Sequence, residues 1–149
     1  MIHIITNHHE TLKWLNLQAE YLKNNTSEDY KVYCGTTDID GGDTPQKTSE
    51  QLKNYSFYEL KNVINRHADK LNALIKKIDF DNNCDDDDLL IFIDPDALLI
   101  QPEWEDKLKD FILNKDVPIV AICREENIEP LLREEQKNYP HPCFLATSV

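Results

Sequence analysis

Glycine is scarce: the chain has three in 149 residues, two of them the pair Gly41-Gly42. That excludes a glycine-rich loop able to wrap phosphates through its backbone amides, and it excludes a flexible linker. Basic residues are also few. Sixteen Lys and Arg face 28 Asp and Glu, for a formal charge of −12. A field of that sign repels DNA and RNA, so a nucleic-acid partner is not expected. It repels small anions too, and the densest basic cluster is only Lys76-Lys77. A protein this acidic that handled phosphates would need a local cation. Long apolar runs are missing as well. No stretch approaches the ~20 residues that span a bilayer. Met1-Ile-His-Ile-Ile-Thr6 has neither the basic lead nor the apolar length of a secretion signal. The four cysteines, Cys34, Cys84, Cys123 and Cys143, form no CxxC pair. They read as reduced thiols of a cytoplasmic protein, with a zinc site among them as the alternative.

What is present is ordinary globular material. A hydrophobic fraction of 40% beside a charged fraction of 30% still permits a packed core, and the length suits one domain, residues 1–149. Residues 2–6 read as a buried strand. From about Glu10 to Leu22, Leu12, Leu15, Ala19 and Leu22 recur at helical spacing, broadened by Trp14 and Leu17. Tyr30–Cys34 reads as a second strand ending at Gly35, with residues 36–50 as a loop and Tyr55–Leu60 as a third strand. Ala68, Leu71, Leu74, Ile75 and Ile78 mark another helix. Asp85–Asp88 then precedes the most apolar strand, Leu89–Ile93, which suits burial on both faces. Pro102 opens a helix through Trp104, Leu108, Phe111 and Ile112 to about Asn114, with Trp104 and Phe111 in the core. Ile119–Cys123 and Phe144–Val149 complete the strands. This alternation predicts a three-layer α/β/α fold around a mostly parallel sheet. Ligands of such sheets sit at the carboxyl ends of the strands, where Thr6, Cys34 and Asp94 should share one rim.

Asp94-Pro95-Asp96 leaves the end of the most apolar strand. Two carboxylates two residues apart can reach one point beyond the rim, and unpaired they repel. A hard divalent cation removes the repulsion and keeps coordination positions open for phosphate oxygens. Asp-Pro is also a common turn signal, so two turn acids are the plain alternative.

The segment Leu-Leu-Ile-Phe-Ile-Asp94-Pro-Asp96-Ala-Leu-Leu-Ile resembles the DxD segment of glycosyltransferases with the GT-A fold. The likeness extends over roughly residues 2–123 in order of elements, the DxD being the part specific as sequence. It implies a nucleotide-diphospho-sugar transferase-like fold, a nucleotide-binding half followed by an incomplete acceptor half, and a fragment, truncated or minimal member of the family. It implies a divalent metal, Mn2+ or Mg2+, on Asp94 and Asp96, and a nucleoside-diphosphate-sugar donor. The sugar would pass to a saccharide or other hydroxyl acceptor. By position, Thr6 and Asn7 match the nucleoside-holding first loop. Asp38 or Asp40 matches an acid against base or ribose. Arg66 and Asp69, in Arg66-His-Ala-Asp69-Lys70-Leu-Asn72, match the segment facing nucleotide and sugar, and His141 matches a later metal-completing histidine. Catalytic residues, sugar and acceptor stay unassigned.

The remaining motifs have plainer readings. His8-His9 next to a helix start would cap it or face solvent, with metal ligation as the other possibility. Arg66 and Lys70 are candidates to neutralise phosphate, Arg66 the better one because a guanidinium grips two oxygens. Asp85–Asp88 reads as a solvated loop, because consecutive side chains point different ways and cannot chelate together. Pro140-His141-Pro142 is a stiff segment that either aims His141 at the rim or connects elements. Glu125-Glu126 reads as a solvated turn. Two other functions fit the DxD: a haloacid-dehalogenase-like phosphatase with Asp94 as nucleophile, or a non-catalytic nucleotide- or metal-binding module.

Overall fold

The computed structural model describes residues 1–9, 12–37, 52–60, 67–78, 84–85, 87–115, 117–123 and 140–148. Its elements are β1 (Ile2–His9), α1 (Leu15–Asn25), β2 (Tyr30–Thr37), β3 (Tyr55–Glu59), α2 (His67–Ile75), β4 (Leu89–Ile93), α3 (Trp104–Lys109) continued by a π-helical turn (Asp110–Asn114), β5 (Val120–Cys123) and β6 (Pro140–Ser148). They build one six-stranded sheet in the order β3-β2-β1-β4-β6-β5. The first four strands of that order are mutually parallel, and β6 runs antiparallel to both β4 and β5.

Alternation along the strands sorts the core into two faces, as side chains two apart share a side. Ile2, Ile4, Val32, Cys34, Leu89, Ile91 and Ile93 pack with Leu15, Ala19 and Leu22 of α1 and with Trp104, Leu108 and Ile112. Ile5 and Tyr33 pack on the other face with Leu60, Leu74 and Ile78, joined by Leu90 and Phe92. Helices therefore cover both sides, which is the expected three-layer arrangement. Each fully buried Leu or Ile here contributes roughly 1.5–3 kcal/mol. β4 is apolar at every position because both of its faces are covered.

Several local expectations are corrected. β1 and β2 do not stop at Thr6 and Gly35; they stay paired to His9↔Thr37. His8 is thus a buried strand residue at 1% exposure, not a helix cap or solvent-facing group. Trp14 lies just before α1 and is 38% exposed, with the Lys13 ammonium 4.9 Å from its ring centroid. Ala68, in the first turn of α2, is exposed. Phe111 is 45% exposed because the π-helical turn, marked by Lys115 N–H donating to the Asp110 carbonyl, advances each residue by a smaller angle than an α-turn. That rotates Phe111 outward and keeps Ile112 in the core. Ile119 is exposed and precedes β5 rather than starting it.

The acidic run before β4 is not wholly solvated. Asp88 is 4% exposed; its Oδ2 accepts from the Asp85 amide at 3.0 Å and from the fully buried His3 Nε2 at 3.0 Å. Its Oδ1 pairs with the Met1 ammonium. Burial alone would raise the carboxyl pKa, but the ammonium, amide and imidazole hydrogen bonds outweigh it and hold the value at about 2.

Candidate functional site

From β1 the chain moves outward to β2 and β3, then returns to place β4 on the opposite side of β1. The carboxyl ends of β1 and β4 therefore flank the point where the winding reverses, the usual ligand crevice of an open α/β sheet. Asn7, His8 and His9 of β1, Thr36 and Thr37 of β2, and Asp94-Pro95-Asp96 after β4 all lie at this end. Asn7 is 4% exposed, and its Oδ1 accepts from Thr37 Oγ1 at 3.3 Å. The neighbouring strand must be glycine at position 35. A Cβ there would stand 2.6 Å from Asn7 Oδ1 and 3.0 Å from Leu60 Cδ1. His9 Nδ1 donates to the Thr37 carbonyl at 3.3 Å, tying the last rungs of the two strands.

The DxD forms a β-turn. The Ala97 amide donates to the Asp94 carbonyl at 3.1 Å, and Pro95 takes the second position, where its fixed φ belongs. Among the described residues the one non-glycine with positive φ is Glu103, so Asp96 does not adopt the left-handed third position of a type II turn. The turn is gripped from below. Gln18 of α1, 1% exposed, donates through Nε2 to the carbonyls of Asp94 (2.9 Å), Ala97 (3.2 Å) and Pro95 (3.4 Å). Two turns further along α1, Asn25 Nδ2 donates to the Leu99 carbonyl at 2.9 Å. Beyond the helix, Thr26 Oγ1 accepts from Trp104 Nε1 at 3.2 Å, and Glu105 Oε1 accepts from the Ser27 amide and hydroxyl at 2.6 and 2.7 Å. Burial of Glu105 would raise its pKa, but these Ser27 bonds outweigh it and hold the group ionised.

With the Asp94, Pro95 and Ala97 carbonyls facing Gln18, the charged oxygen ligands of the turn are the carboxylates of half-buried Asp94 and exposed Asp96. Hard oxygen donors on a pinned turn fit a Mg2+-like ion, which commonly takes one or two carboxylates plus substrate phosphates and water. Among the described residues no third His, Cys, Asp or Glu joins these two in a compact group; the one such group is His3, Cys84 and Asp88, at the opposite end of the sheet.

The other expected residues fall as follows. Thr6 is fully buried inside β1, and its Oγ1 has no hydrogen-bond partner among the described residues. Asp69 lies in the first turn of α2 and is half-buried. Because α2 carries the chain back from the end of β3 to the start of β4, that turn is at the rim. Lys70 beside it is 4% exposed. Phe144 pairs with Ile93, so the part of β6 before it, including His141 opposite Ile122, runs past the carboxyl end of β4. The side chain of His141 lies outside the described residues, as do Asp38, Asp40, Arg66 and Glu125-Glu126. Cys34, at the same end, is enclosed, and burial pushes its thiol up to about 12, which makes it an inert packing group. Gln18 escaped sequence reasoning. Its one signal is a polar residue inside the apolar stripe that runs Leu15, Ala19, Leu22.

No protein-family model matches this chain, and no curated protein does. Solved structures do match, and the fold is that of the GT-A glycosyltransferases, a mixed α/β sheet of nucleotide-sugar transferase type. One match is the galactosyltransferase LgtC in complex with donor and acceptor sugar analogues, at TM-score 0.60 and 14% identity, covering 98% of this chain and 57% of that one. A second is the mannosyltransferase PcManGT from Pyrobaculum calidifontis in complex with GDP-Man and Mn2+, at TM-score 0.65 and 15% identity, covering 99% and 44%. A third is TarS of S. aureus, at TM-score 0.67 and 11% identity, covering 98% and 46%. The chain spans about half the length of these proteins, and at such identities the likeness establishes the fold. Among the described residues no helix is long and apolar enough to cross a membrane.

Proposed function

We propose that this chain binds a nucleoside-diphosphate-sugar donor through a divalent metal held by Asp94 and Asp96, for transfer of the sugar to a hydroxyl acceptor. The observation that carries the reading is the pinned Asp94–Ala97 turn, which presents two carboxylates at the switch point between β1 and β4. When bound, the metal supplies Lewis-acid stabilisation of charge on the departing diphosphate. It also reconciles a chain of net charge −12 with an anionic donor. Gln18 fixes the direction of the turn, so the carboxylates need little reorganisation on binding. Asn7 and Asp69 stand at the same rim as donor-facing groups, with Asp38, Arg66 and His141 as further contributors. Thr6 backs the rim from inside.

The fold supports this reading over a phosphatase using Asp94 as nucleophile, since the matched structures named by activity are sugar transferases. Calorimetric titration of UDP and GDP, with and without Mn2+, tests it. Wild type should bind one of them in a metal-dependent way, and Asp96→Ala should lose that binding while keeping its circular dichroism. Equal affinity in both proteins rejects the assignment. Binding without hydrolysis or transfer of the matching nucleotide sugar would identify a non-catalytic module.

A further inference from the structure

The far end of β1 carries a second group of ligand atoms that the proposed transfer does not use. His3 is fully buried, with Nε2 3.0 Å from Asp88 Oδ2 and Nδ1 3.0 Å from the Tyr33 hydroxyl. Cys84, a half-exposed free thiol, stands over the same point. The ligand atoms of His3, Cys84 and Asp88 all lie within 4.8 Å of one another. Three chemically different donors thus converge from a strand interior, a loop and a strand entrance, two of them enclosed and the third open to solvent. An exposed acidic patch has none of these properties. The position is remote from the DxD, since His3 and His9 stand six residues apart along β1 at ~3.3 Å rise per residue, placing the two rims roughly 20 Å apart.

We infer that His3, Cys84 and Asp88 form a binding site for a zinc-class divalent cation, separate from the carboxylate site at Asp94 and Asp96. Thiolate and imidazole ligands select Zn2+ and Co2+ over the Mg2+ or Mn2+ that suit carboxylates alone, so the two ends of the sheet sort ions by ligand softness. In a tetrahedral site, bonds of ~2.0–2.3 Å to N, O and S put donor pairs about 3.3–3.7 Å apart, so the widest pair of the observed cluster closes by up to about 1 Å, a movement that rotation of half-exposed Cys84 can supply. Tyr33 supplies the outer-shell contact that a ligating imidazole needs. Without metal, His3 Nε2–H donates to Asp88 Oδ2, and Nδ1 meets the Tyr33 hydroxyl. With metal, Nε2 carries the ion and Nδ1–H donates to the Tyr33 oxygen. Cys84 binds as the thiolate, its thiol proton passing to solvent. Water fills the fourth position; the Met1 ammonium already pairs with Asp88 Oδ1, so Asp88, the Cys84 thiolate and exposed Asp85 and Asp87 together offset that charge and the ion's.

The test is Co2+ titration of the whole chain followed by absorption. Wild type should develop a near-ultraviolet thiolate-to-cobalt band and lose it when Zn2+ is added. Cys84→Ser, at a half-exposed position that leaves the core intact, should lack the band while keeping wild-type circular dichroism. Asp96→Asn should retain the band, even where its nucleotide binding is lost, so this site and the rim site succeed or fail separately. A wild type without the band overturns the inference. A band that persists in Cys84→Ser, or one that vanishes in Asp96→Asn, overturns it equally.

Discussion

Replacing Gln18 with leucine isolates what the buried amide does for the DxD turn. Leucine keeps most of the volume in the α1 stripe, so the cavity contribution is small and the loss is polar. The Nε2 group has two protons serving three carbonyls at 2.9, 3.2 and 3.4 Å, so about two hydrogen-bond equivalents disappear. A neutral bond is worth ~0.5–1.5 kcal/mol net, and an acceptor left dry costs ~1–3 kcal/mol. Leucine also removes Gln18 Oε1, which is buried with no hydrogen-bond partner among the described residues, so the expected net destabilisation is about 1–2 kcal/mol. For a chain of this size that corresponds to a fall in Tm of roughly 2–6 °C. The turn should also loosen, weakening Mn2+-dependent nucleotide binding beyond what the stability loss explains when both proteins are compared well below Tm. Gln18→Glu sharpens the test. A carboxylate facing three carbonyls is disfavoured, so its folded-state pKa would lie above the unfolded value of ~4.3. Such a group leaves stability intact below the unfolded pKa and loses it as pH rises through the folded one. Gln18→Glu should then approach wild type near pH 4 and fall away toward neutrality. Unchanged melting and unchanged nucleotide binding in Gln18→Leu would refute the claim that this side chain holds the turn.

Gly35→Ala should cost about 1–3 kcal/mol in denaturant unfolding, because its Cβ would meet Asn7 Oδ1 at 2.6 Å and neither partner can retreat freely. Glu105 has a depressed pKa, so its contribution is present above the unfolded ~4.3 and is lost as pH falls below it. Glu105→Gln should flatten that acid limb of the stability curve, measured by urea unfolding at several pH values, and an unchanged limb would count against the Ser27 contacts. Cys34 should resist iodoacetamide in the folded protein and react once denaturant is added, whereas Cys84 should label without denaturant; peptide mass spectrometry distinguishes the two, and rapid native labelling of Cys34 would contradict its burial.

Much of the architecture was legible because burial writes itself into spacing. Leu89–Ile93 announced a strand covered on both sides, and the Leu15-Ala19-Leu22 stripe announced which face of α1 meets the sheet. The Asp94–Asp96 turn was legible because Pro95 both ends the strand and fixes the second turn position. What stayed hidden depends on partners far away in the chain. Nothing local says that Gln18 meets Asp94, that His3 meets Asp88, or that β6 runs back between β4 and β5. Asn7, His8 and His9 look like loop residues, which makes β1 read as ending at Thr6; they remain in the strand because β2 pairs with each of them. The π-helical turn likewise overrides a spacing that would otherwise bury Phe111.

Gln18 and Asn25 clasp the segment after β4 by its peptide oxygens and by no side chain. Ala97 and Leu99 also pack on the core, but Leu98 and exposed Ile100 are at liberty to be spelled differently while the path of the chain stays put. Distant kin of this protein will be hard to recognise from that stretch of letters. An amide-bearing pair seven positions apart on the first helix is the steadier signature to look for.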